Sequence, residues 1–143
     1  MLAGAALATY IHQPTLLAFS AVALHYLLDV LPHWEYDIIT SRKAAAYKIA
    51  ADIAMGLFVV FFALRRFGPA EQALILWGAF FSIMPDGFSA IYFFSHGKYL
   101  RRQMQFHIFW HALIIPMKTH PPLWFAVTTE IIVIAASLFL LLR

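Results

Sequence analysis

Cysteine is absent from the chain, glycine occurs six times, and charged residues make up only 12% of its 143 positions. Without cysteine there is no disulfide, no thiolate nucleophile and no cysteine-built zinc site, so any metal must be held by histidine and carboxylate. A soluble domain carries about a quarter charged residues. With 63% hydrophobic residues and a mean hydropathy of +0.78, this composition suits a bilayer instead. In such a chain a net charge of +3 reports loop orientation, and no nucleic-acid partner is expected. No repeat or low-complexity segment interrupts the sequence. The opening Met-Leu-Ala-Gly-Ala-Ala-Leu lacks a basic stretch and does not read as a cleaved signal peptide.

A hydrocarbon core about 30 Å thick takes about 20 apolar residues per helix. The expected fold is all-α: a single transmembrane domain over residues 1–143, built as an integral membrane bundle of about five helices. A short helical piece precedes His12-Gln13-Pro14, where proline interrupts the run. The spans then fall at about 15–31, 44–64, 70–94, 103–117 and 123–142, with Pro85 expected to kink or end the third. The fourth is the shortest. If the spans alternate, Arg42, Lys43, Lys98, Arg101, Arg102 and Arg143 share one side, against Arg65, Arg66 and Lys118 on the other. That bias predicts a cytoplasmic location for the first side.

What remains is a set of polar residues where none should be comfortable. Asp29, Asp52, Asp86 and Glu130 lie inside apolar stretches, where an unpaired charge costs about 2.5–3.5 kcal/mol on insertion scales. His25 and Asp29 are four residues apart, as are His107 and His111, so each pair occupies one helix face. At about 1.5 Å rise per residue, His25, Asp52, Asp86, His107 and His111 all fall roughly 8 to 15 Å in from the same side. Asp29 and His33 sit nearer its aqueous edge. The candidate ligand set is therefore His25, Asp29, His33, Asp52, Asp86, His107 and His111. Histidine and aspartate suit zinc and related divalent ions, and helices of a bundle can supply them in pairs. Zinc is the expected ion, with room for more than one.

Isolated histidines such as His12, His96 and His120 read as packing or interfacial groups, and Glu130 reads equally well as a structural hydrogen-bonding group or a ligand's partner. The paired aromatics Phe61-Phe62, Phe80-Phe81 and Phe93-Phe94 read as lipid-facing or packing surface.

His25-Tyr-Leu-Leu-Asp29-Val-Leu-Pro32-His33 resembles the His-x-x-x-Asp helix of the predicted membrane-bound metal-dependent hydrolase family. Met84-Pro85-Asp86 is similar to that family's Leu-Pro-Asp turn, and His107 to His111 to its histidine-bearing helix, with the order of motifs permuted. The resemblance implies a several-helix protein of a prokaryotic inner membrane in which His25, Asp29, Asp86, His107 and His111 bind metal.

The expected function is hydrolysis of a lipid or isoprenoid phosphoester by a metal-bound hydroxide, with membrane lipids and an amphipathic small molecule as partners. Glu35 or Asp37 at the mouth would move protons, and Arg101 and Arg102, with Lys48 as a further candidate, would hold the phosphate. Three other readings stay open. Intramembrane acids and histidines also build proton or divalent-metal transporters and channels; His25 with His107 or His111 would suit a haem; and a polar network can simply join helices in a structural adaptor.

Overall fold

The computed structural model describes residues 1–31, 33, 42–113 and 122–143. They form six helices among the described residues: α1 (Leu2–Leu7), α2 (Pro14–Asp29), α3 (Arg42–Leu64), α4 (Pro69–Phe94), α5 (Arg101–His111) and α6 (Leu123–Leu142). The starts follow local chemistry. Pro14 occupies the first turn of α2, and the Gln13 side chain accepts a hydrogen bond from the Leu16 amide. Pro69 does the same for α4, where the Glu71 carboxylate accepts from the Gly68 amide at 2.9 Å. Gln72 reaches back across that turn, its Nε2 donating to the carbonyls of Leu64 at 3.0 Å and Phe67 at 2.9 Å, which satisfies groups left open where α3 stops.

Among the described residues three helices, α3, α4 and α6, are long and apolar enough to cross a membrane, where about five spans were expected. Helix α2 has 16 residues and α5 only 11, or about 24 and 16 Å at 1.5 Å per residue, short of a hydrocarbon core. The apolar run that reaches Leu31 is longer than α2, which stops at Asp29, and α5 gives way to a turn at Ala112 and Leu113, with 114–117 of its run outside the described residues. Pro85 does not end its helix either, since α4 continues through it to Phe94.

In the most apolar stretches of the three long helices, at most 28% of residues are buried within the protein. Phe58, Phe61, Phe62, Ile131, Ile132 and Phe139 point outward, as lipid requires and water would penalise. Packing inside relies on small residues. Ala5, Ala6, Ala8, Ala63 and Ala79 join Leu17, Val60, Ile75 and Leu141 in the core, where small side chains let backbones approach closely. Helices α1 and α4 approach each other closely: a Cβ on Gly4 would run into the Gly78 carbonyl oxygen, and one on Gly78 into that of Gly4.

Helix α4 is the hub, packing on α1, α2, α3 and α5, while α2 also meets α5. Trp77 Nε1 fastens α4 to the start of α2 by donating to the Pro14 carbonyl at 3.2 Å. Helices α2, α4 and α5 therefore form a mutually touching trio, and α3 packs against α4 and α1.

Candidate metal centre

The trio of α2, α4 and α5 carries the histidines and aspartates that meet. One turn apart on α2, His25 and Asp29 project to the same side, with Nε2 and Oδ2 at 3.1 Å. From α5, His107 Nε2 comes within 3.3 Å and His111 Nε2 within 3.6 Å of the same Asp29 oxygen. From α4, Asp86 Oδ1 stands 3.6 Å from His25 Nε2 and 3.7 Å from His107 Nε2. Two overlapping sets, His25 with Asp86 and His107, and Asp29 with His107 and His111, have the geometry to hold a metal ion.

Within this cluster His107 Nε2 and His111 Nε2 are at hydrogen-bonding distance, 2.8 Å apart, whereas two other members are not so paired. His25 Nε2 and Asp29 Oδ2 are buried and 3.1 Å apart, yet neither makes a hydrogen bond. Two such groups left unsatisfied away from water would be costly. Ligands about 2.0–2.1 Å from a metal lie about 2.8 to 3.4 Å from each other along the edges of an octahedron or tetrahedron. The imidazole–carboxylate separations of 3.1 and 3.3 Å fall within that spacing, and those of 3.6 to 3.7 Å lie just beyond it.

Aromatic packing holds these side chains in place. Tyr26 meets His25 edge-on at 5.3 Å and His107 at 5.7 Å between centroids, and Phe106 closes on Tyr26 at 5.0 Å. His25 and His107 are almost wholly buried. Asp86 differs, with its side chain 64% exposed, and marks the open flank. There a cavity of about 250 Å³ is bounded by Asp29, Asp86, His33 and His111 on the polar side and by Ala3, Leu24 and Leu28 on the apolar side. At about 30 Å³ per water, it has room for a phosphate-sized group and a few waters.

Asp29 was expected at the aqueous edge, but it stands in the middle of the cluster, touched by all three histidines. His33 lines the cavity and packs against His111 at 5.0 Å, with Nδ1 donating to the Leu31 carbonyl at 2.8 Å; it belongs to neither three-residue set. Asp52 is exposed on α3 and is also outside both sets. Arg101 and Arg102 are exposed at the start of α5. Glu35 and Asp37 lie outside the described residues.

Ser89 was not anticipated. Its Oγ lies 3.1 Å from His107 Nδ1 and 3.2 Å from the Pro85 carbonyl oxygen. A serine in an apolar helix carries no distinctive signal, apart from its position three residues after Asp86 on the same helix face. Gln103 is likewise unmarked in the sequence: its Nε2 donates to the Tyr26 hydroxyl at 3.3 Å.

No family model, curated protein or solved structure matches the chain.

Proposed function

We propose that the protein is a membrane-embedded metal-dependent hydrolase of lipid or isoprenoid phosphoesters. The observation that carries this reading is the convergence of His25, Asp29, Asp86, His107 and His111 from three helices on one point beside a half-apolar cavity. Their nitrogen and oxygen donors suit zinc or a similar divalent ion. Such an ion lowers the pKa of coordinated water to about 7 and so supplies a nucleophile at neutral pH.

The chain's own residues account for the rest. His25 and His107, packed against Tyr26, hold their rings in fixed orientation. Asp86, on the open flank, faces the entering substrate. Leu24, Leu28 and Ala3 exclude water from the adjoining wall, and the small cavity takes the phosphate head while the tail stays in lipid. Arg101 and Arg102 lie six and five residues before His107, about 8–9 Å along the axis, at a distance suited to drawing an anionic head group toward the centre. The motif resemblance to membrane-bound metal-dependent hydrolases supports the same chemistry.

A haem fits poorly, because the three imidazole Nε2 atoms all lie within 3.6 Å of one Asp29 oxygen and leave no slot for a macrocycle. The test is metal content by mass spectrometry on detergent-purified protein, before and after zinc or manganese loading, followed by release of phosphate or alcohol from a panel of lipid phosphoesters. Stoichiometric metal with turnover that chelator removes is the expected result. Failure to retain any divalent ion overturns the reading, and metal uptake into proteoliposomes without hydrolysis replaces it with ion transport.

A further inference from the structure

The hydroxyl of Ser89 stands between two partners, and only one assignment of its proton satisfies both. The Pro85 carbonyl oxygen, 3.2 Å away, can only accept a hydrogen bond, so the single hydroxyl proton points to it. His107 Nδ1, at 3.1 Å, must then donate to the serine oxygen. A neutral imidazole with its proton on Nδ1 has its lone pair on Nε2. That is the His107 atom facing Asp29, Asp86 and His111, at 3.3, 3.7 and 2.8 Å.

We propose that Ser89 is a positioning residue that sets the tautomer and ring orientation of His107 for metal binding, an assignment that rests on the metal-centre reading above. Pro85, Asp86 and Ser89 lie within five consecutive positions of α4. One turn of helix thus supplies a ligand, the group that orients a second ligand on α5, and the carbonyl that orients that group. Gln103 Nε2 approaches the same Pro85 oxygen from α5 at 3.5 Å while donating to Tyr26 of α2, so the chain of contacts joins all three site helices. A neutral hydroxyl performs this role without adding a third carboxylate to a buried cluster, where each further charge must be compensated.

The test uses full-length protein in detergent micelles with ¹⁵N-labelled histidine. Two-bond ¹H–¹⁵N correlation of the metal-free protein reads the tautomer of His107, assigned by its loss in His107→Gln. Zinc affinity is measured by competition with a chromophoric chelator. Wild type is expected to show the Nδ1–H form; Ser89→Ala to lose it and to bind zinc about 10–100-fold more weakly; and Ser89→Thr, which keeps the hydroxyl, to recover both. An Nε2–H form in wild type, or zinc bound by Ser89→Ala as tightly as by wild type, overturns the assignment alone. No zinc binding by wild type overturns the metal centre and the assignment together.

Discussion

His107 and His111 present their Nε2 atoms 2.8 Å apart from rings only 9° out of parallel. One helical turn places the two imidazoles in a stack, and both nitrogens turn toward Asp29. On the proposed metal reading, a pair held this close acts as one two-pronged donor. Saturating zinc, at about a hundred times its Kd, is expected to stabilise the folded protein by about 2.7 kcal/mol. Thermal unfolding in detergent reads this as a rise in Tm, which His107→Ala should abolish. An equal rise in wild type and variant would mean that zinc binds elsewhere.

Asp29 and Asp52 offer a paired comparison. Asp29 touches three histidines from two helices, whereas Asp52 is exposed on α3, which packs against α4 and α1. Asp29→Asn should reduce bound metal at least tenfold; Asp52→Asn should leave it at the wild-type level. The measurement is metal per protein after gel filtration. Equal losses would extend the centre to α3.

The lack of cysteine makes topology directly testable. Arg65 and Lys98 flank α4 on opposite ends, so Arg65→Cys and Lys98→Cys should react with a membrane-impermeant maleimide from opposite sides of sealed vesicles. Labelling of both from one side would show that α4 does not cross.

Gly78→Val places a branched side chain against the Gly4 backbone. Overpacking of this kind costs about 1–3 kcal/mol and should lower Tm, whereas Gly87→Ala, with open space around its added methyl, should not. Unchanged stability in Gly78→Val would show that α1 can be displaced without loss.

The all-helical fold was legible because apolar runs and their prolines mark helices and breaks, and Pro14 and Pro69 do begin α2 and α4. Span number was less legible, because hydrophobic length was counted beyond the points where α2 and α5 end, at Asp29 and His111. Spacing of four paired His25 with Asp29 and His107 with His111. Depth arithmetic is blind to azimuth and to which helices touch. It therefore grouped Asp52 with Asp86, although α3 packs on α4 and α1 while α2 and α5 pack on each other and on α4. It also left Asp29 at the rim, because distance along one helix does not reveal that α5 leans over it with two histidines. Ser89 was invisible for a different reason: its role comes from a neighbour on another helix, not from any spacing within its own.

The contact between Gly4 and Gly78 has a bearing on the centre, although neither glycine lines the cavity. By bringing α1 hard against α4, it carries Ala3 and Met1 up to the chamber beside Asp86 as part of its wall. The dimensions of that chamber are thus set by two missing side chains. A family of variants graded in bulk at position 78 would act as a dial on the volume of that chamber, without altering any of the histidines or aspartates around it.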